Sequence, residues 1–152
     1  MINTFANKRK DVLGLNRRNQ EYIRPYNMPS AKALADDKIR TKKLLAKNGI
    51  QTPEVYKIIR SRQQLNYLDW DSLPKSFVIK PNKGTGGAGI LLFYGKKKGK
   101  DEWIRPNGKT MTKKDIVLHI EKILEGRFSM GERKDSAIIE ERIQNDPFLK
   151  KY

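Results

Sequence analysis

Thirteen consecutive residues, Phe77 to Gly89 (FVIKPNKGTGGAG), hold the densest chemistry in this chain. An apolar run, Phe77-Val78-Ile79, delivers Lys80, and the backbone then loses side-chain bulk at Gly84, Gly86, Gly87 and Gly89. Glycine reaches positive φ freely and leaves no Cβ between a backbone amide and an approaching anion. Successive amides in such a segment form a nest for phosphate oxygens. Lys80 adds a point charge at the strand end, and Thr85 adds a hydroxyl that donates to a ligand or caps the turn.

Two familiar glycine-rich motifs fail on spacing. A P-loop needs a lysine and a serine or threonine directly after its last glycine, and no lysine stands in that register. A dinucleotide-binding fingerprint runs from strand into helix, whereas this segment runs into Ile90-Leu91-Leu92-Phe93, a second strand. The pattern is a hairpin with a long tip, serving either as a flap over phosphate or as a ligand-free loop.

The elements that must position this hairpin are legible from capping and periodicity. A helix is expected from Met1 to about Leu15, and Asn16 to Pro29 carries enough breakers to read as an irregular connecting arm. Ser30 is placed to cap a helix from about Ala31, with Leu34, Ile39, Leu44 and Leu45 on one face and Gly49 as its stop. Val55 to Ile59 reads as a strand and Arg62 to Leu68 as a short helix. Beyond the hairpin, Gly95 to Lys100 (GKKKGK) is a short biased loop with an exposed tip, and Glu102 to Arg105 is a strand continuing the sheet. Pro106-Asn107-Gly108 is a turn. Thr112 then opens a helix with Ile116, Val117, Ile120, Ile123 and Leu124 inward and a stop at Gly126. A last strand is expected from Ala137 to about Ile143.

Composition closes off several classes of function. The chain has 152 residues, 37% hydrophobic and 33% charged, which fits a folded protein. No cysteine is present, so disulfides and thiolate chemistry are excluded. The single histidine, His119, lies within the helical pattern and reads as a helix-flank residue. No stretch approaches the length of a membrane span, and the first ten residues lack the apolar core of a signal peptide; no membrane partner and a cytoplasmic location are expected. A formal net charge of +16 attracts polyanions, including nucleic acid without sequence preference.

Three segments, in this order, resemble the ATP-grasp superfamily: DDKIRTKKLLAKNGIQTPEVY at Asp36 to Tyr56, FVIKPNKGTGGAGI at Phe77 to Ile90, and AIIEERI at Ala137 to Ile143. The arm Val12 to Asn27 and the stretch Trp103 to Gly131 look similar to its alpha-L-glutamate-ligase-like branch. The resemblance implies a partial ATP-grasp fold of the α/β (α+β) class: a small antiparallel sheet with flanking helices and a glycine-rich flap, preceded by a helical arm. It divides the chain into an arm (1–29), a partial linker subdomain (30–75) and a nucleotide-binding subdomain (76–152) that is incomplete at its C-terminus.

The resemblance further implies that Lys38 and Lys80 approach the phosphates of ATP, that Gly84, Thr85, Gly86, Gly87 and Gly89 close over them, and that Glu140, Glu141, Arg142 and Ile143 form the adenine hinge. Family members phosphorylate a carboxylate with ATP and let an amine attack the acyl phosphate. The family's magnesium ligands and a supporting arginine lie beyond the hinge, so magnesium is expected only in the complete enzyme. Asp146, alone in an NDP turn, reads as a turn former. No catalytic residue and no metal ligand is assigned within the chain. The expectation is an ATP-binding portion of a carboxylate–amine ligase, inactive alone and able to self-associate through an exposed sheet edge. Two alternatives stand beside it: a basic nucleic-acid-binding module, suggested by the charge and by Tyr22, Tyr26 and Trp70 as exposed aromatics, and a non-catalytic interaction domain that keeps the fold.

Overall fold

A computed structural model describes residues 12–129 and 131–144. The chain divides into two compact units, Met1–Ala35 and Asp36–Tyr152.

In the first unit, α1 (Leu15–Arg18), a π-helical stretch (Asn19–Ile23) and α2 (Arg24–Tyr26) follow one another. This corrects the irregular reading of Asn16 to Pro29. Pro25 lacks an amide and breaks the ordinary i to i−4 ladder, but the wider π turn directly before it absorbs that break, so helical backbone continues through the proline. Tyr22 and Tyr26 are exposed, as expected. The helix expected from Met1 falls mostly outside the described residues, as do Asp146 and the tail; Val12, Leu13 and Gly14 are not helical.

The stretch expected as one helix from Ala31 to Gly49 is two, α3 (Pro29–Asp36) and α4 (Lys38–Lys47). Asp37 is extended, at φ −101° and ψ 96°, and its carboxylate accepts from the Arg40 amide at 3.0 Å, so it caps α4 and interrupts the helix there. Gly49 ends α4 as anticipated: φ is +72°, its amide reaches Ala46 O and the Ile50 amide reaches Leu45 O, a Schellman closure.

The second unit is built on a four-stranded sheet of β1 (Val55–Ile59), β2 (Phe77–Pro81), β3 (Leu91–Phe93) and, named in chain order, β7 (Ala137–Glu140). Their order is β1-β7-β2-β3 and every pairing is antiparallel. The expected hairpin is present, with Phe77 opposite Phe93 and Ile79 opposite Leu91. The last strand ends at Glu140, three residues earlier than expected, although the Glu141 amide still reaches Glu54 O at 2.8 Å. β4 (Gly95–Lys96), β5 (Glu102–Ile104) and β6 (Thr110–Thr112) form a separate three-stranded sheet, so β5 does not extend the main one.

One face of the main sheet carries the core. Ile59, Phe77, Ile79, Leu91, Phe93, Ala137 and Ile139 pack with Leu65 of α5 (Arg62–Asn66) and with Ile116, Ile120 and Ile123 of α6 (Lys113–Leu124). The periodicity of α6 matches its buried stripe, and Thr112 and Asp115 close a capping box at its start. Trp70, expected to be exposed, is buried: it packs on Trp103 at 5.4 Å between ring centroids, because two large aromatics remove more apolar surface together than either does on a loop.

Candidate functional site

The opposite face of the sheet carries charge. Antiparallel register sets Val78 across from Glu140 and Lys80 across from Ile138, so Lys80 and Glu140 lie on the face away from the core. Lys80 Nζ pairs with Glu140 Oε1, and Lys42 Nζ stands 3.0 Å from Oε2. Oε2 accepts no hydrogen bond, so the Lys42 contact is one of charge alone; its ammonium donates instead to Pro53 O at 2.8 Å. Glu140 is only 4% exposed. A carboxylate held that far from water requires cations beside it, and here two supply them.

Lys38 sits one turn before Lys42 on α4, and the i, i+4 spacing puts both on the sheet side of the helix. Its ammonium donates to Gly84 O at 2.8 Å and Asn82 O at 3.1 Å, at the root of the glycine-rich segment. Burial depresses the Lys38 pKa, and the nearby Lys80 charge lowers it further. Two ammoniums therefore meet at the mouth of the flap, and only part of that positive charge is answered by Glu140.

The flap is a compact turn. The Ala88 amide bonds Thr85 O at 3.0 Å, and Gly86 and Gly87 both have positive φ, 60° and 76°. Among the described residues, the amides of Gly86 and Gly87 donate to no other group and the Thr85 hydroxyl has no partner, so both amides are available to an anion. Two positions leave no room for a Cβ unless a neighbour shifts: one on Gly84 would stand 2.2 Å from Pro81 Cγ, and one on Gly89 would stand 2.6 Å from Phe128 Cγ. A phosphate chain suits this set, with unclaimed amides facing it and ammoniums at its root.

His119, expected only as a helix-flank residue, braces the flap. Its Nε2 lies 2.9 Å from Gly89 O and its ring packs on Phe128 at 5.1 Å. A carbonyl only accepts, so Nε2 carries the proton. Periodicity could not reveal this contact, which joins residues 30 apart in sequence. Lys42 was also missed, although its spacing from Lys38 was a usable signal.

At the expected hinge the four residues separate by role. Glu140 belongs to the buried ion cluster. Glu141 is exposed, and its carboxylate accepts from the Glu54 amide at 3.2 Å. Arg142 Nε donates to Ser76 Oγ at 2.6 Å, and its guanidinium lies 4.6 Å over the Tyr94 ring. The side chain of Ile143 is exposed. The main-chain groups of Arg142 and Ile143 have no partner among the described residues, and both residues line a cleft of about 450 Å³ with Thr52 and Pro53. Among the described residues no cluster of acidic or histidine side chains is fit to hold a metal ion, and no helix is long and apolar enough to cross a membrane.

The profile of the sugar-transfer associated ATP-grasp family matches residues 17–152. D-alanine–D-alanine ligases of Bacillus anthracis, among them those of strains A0248 and CDC 684 / NRRL 3495, are 33% identical over 90 residues, 59% of this chain. The match spans 28% of the length of those relatives. No solved structure matches the chain. Nearly all of the chain falls within the family profile, and the mixed fold of helices and antiparallel sheet agrees with it: the chain belongs to the sugar-transfer associated ATP-grasp family.

Proposed function

We propose that this chain is the nucleotide-binding part of an ATP-dependent ligase that joins a carboxylate to an amine. The observation that carries the reading is the convergence of Lys38 and Lys80 on a glycine-rich turn with unclaimed amides. Lys38 and Lys80, with the amides of Gly86 and Gly87, hold the phosphates; Gly84 and Gly89 let the turn pack closely, and Thr85 offers its hydroxyl. The carbonyl of Glu141 and the main-chain groups of Arg142 and Ile143 read the adenine edge, while Glu140 orients Lys80. ATP, when bound, supplies the phosphoryl group that activates the carboxylate, with magnesium sharing its charge. The likeness to D-alanine–D-alanine ligases supports amide formation. The use of glutamate rests on the arm and on Trp103 to Gly131 alone and is the narrower form of the proposal. A cytoplasmic setting belongs to the same reading.

The test is thermal unfolding with and without Mg-ATP in about 150 mM salt, which damps binding to the general positive field. Ligand at 100 times its dissociation constant adds about 2.7 kcal/mol. Because Lys80 also neutralises Glu140, Lys80→Met lowers the baseline midpoint, and the ligand-induced shift is the quantity compared. A shift in the wild type that is absent in Lys80→Met is the expected result. An unmoved wild-type midpoint at millimolar Mg-ATP ends the reading.

A further inference from the structure

At the end of the sheet where β2 and β7 meet the start of α4 lies a second cleft, of about 460 Å³. Arg40 and Lys43 reach it from α4, Arg60 from the end of β1, Lys83 from the flap root and Lys134 from the segment before β7. None of these five side chains makes an ion pair or a hydrogen bond with another described residue. The two carboxylates in the wall also accept hydrogen bonds from their neighbours. Asp135, buried, accepts from the Lys83 amide at 2.8 Å, the Ser129 hydroxyl at 2.6 Å and the Ser136 amide at 2.8 Å. Asp37 accepts from the Arg40 amide.

The contrast with the other lysine-rich region decides the matter. There Lys96 is held between Asp71 and Asp101, and Lys97 faces Glu102, so the charge is answered locally. In the cleft, five cations face two carboxylates, of which Asp37 acts by charge on Lys83 and Arg40, and positive charge remains in excess. All five residues are exposed, so water and salt damp their mutual repulsion, and the excess charge acts as a local positive field that draws an anion into the concave space. The first amides of α4 are not donors to it: Lys38 N reaches Asn82 O, Ile39 N reaches Asn82 Oδ1 and Arg40 N is capped. Side chains must therefore do the binding, and two guanidiniums suit the paired oxygens of a phosphate.

We propose that this cleft is a second anion site, distinct from the flap, that binds a phosphate-bearing ligand through Arg40, Lys43, Arg60, Lys83 and Lys134. It stands on cleft geometry and excess positive charge and does not require the nucleotide reading. The phosphate could come from a phosphorylated acceptor or from the nucleotide's own tail, and the experiment separates these. Inorganic pyrophosphate is titrated calorimetrically into the full chain in about 150 mM salt, with and without a saturating non-hydrolysable ATP analogue. The proteins are wild type, Lys43→Ala/Arg60→Ala, and Lys98→Ala/Lys100→Ala as a control of equal charge change. The expected result is pyrophosphate binding that persists beside the analogue, weakens about tenfold or more in the cleft variant and survives in the control. Affinity for the analogue itself should not change in the cleft variant.

Equal losses in both variants would reduce the cleft to part of the general field and overturn the site. Displacement of pyrophosphate by the analogue, or a parallel loss of analogue affinity in the cleft variant, would assign the cleft to the nucleotide tail and overturn its independence. Cleft-dependent pyrophosphate binding in a protein that does not take the analogue would support this site and count against the nucleotide reading.

Discussion

Gly89 and Gly86 offer a comparison in which one steric contact can be weighed. Both have positive φ, 76° and 60°, so alanine at either position adopts a left-handed conformation at a cost of about 1–2 kcal/mol. At Gly86 nothing lies within 4 Å of the added Cβ, and that conformational cost is the whole effect. At Gly89 the Cβ meets Phe128 Cγ at 2.6 Å and Cδ2 at 2.7 Å, roughly 1 Å inside ordinary carbon contact at about 3.5–4.0 Å. The ring has to move away from the core it partly covers and from His119. Overpacking costs about 1–3 kcal/mol, and a ring at the core's margin takes the lower part of that range. Gly89→Ala should therefore lose about 2–3 kcal/mol and Gly86→Ala about 1–2 kcal/mol, read from urea midpoints at constant m. In a Phe128→Ala background, which removes the two ring contacts and keeps only Cβ at 3.1 Å, the difference between the two should shrink by more than half. If Gly89→Ala costs no more than Gly86→Ala in the wild-type background, Phe128 does not brace the flap and the account of its closure is wrong.

Three further outcomes follow from the geometry. Glu140→Gln removes the carboxylate shared by Lys42 and Lys80 and leaves two facing ammoniums, so urea unfolding should show a loss of about 3 kcal/mol; a change under 1 kcal/mol would mean that water already screens the pair. Burial holds the His119 pKa below its ordinary value of 6.5, partly opposed by the bond to Gly89 O. The unfolded chain therefore takes up the proton first, and the stabilising contribution is complete above about pH 6.5 and is lost as pH falls through the folded value. Stability should fall more steeply between pH 7.5 and 5 in the wild type than in His119→Gln, and equal slopes would refute the assignment. Thr112→Ala should cost about 1 kcal/mol in thermal unfolding through loss of the α6 cap, with Thr112→Ser restoring most of it.

What the sequence disclosed follows from which forces are local. The hairpin, the strand Val55–Ile59, the stops at Gly49 and Gly126 and the cap at Thr112 depend on residues a few positions apart, and all are where periodicity and capping put them. The break at Asp37 was misread because aspartate suits a first helical turn as well as a cap, and its extended backbone is fixed only when Asn82 engages the next turn. Trp70 was misread because it sits in a bend and its partner, Trp103, lies far along the chain on β5. Of the candidate site, Lys80 and the glycines could be named from their pattern, and Lys38 only through the family resemblance. The brace by His119 and Phe128, the Lys42 charge and the side-chain tie from Arg142 to Ser76 and Tyr94 join residues far apart in sequence, and no local rule reports such contacts.

Asn82 has a consequence for how this unit opens. Its carbonyl accepts from both the Lys38 amide and ammonium, its side-chain oxygen accepts from Ile39, and its own amide donates to Ser136 O at 2.9 Å. One buried residue thus closes the start of α4, the root of the flap and the approach to β7 into a single knot. Local opening cannot release one of these segments alone without stranding the polar groups of the other two, so they exchange with solvent as one cooperative unit. The root of the flap thereby keeps the register of the sheet.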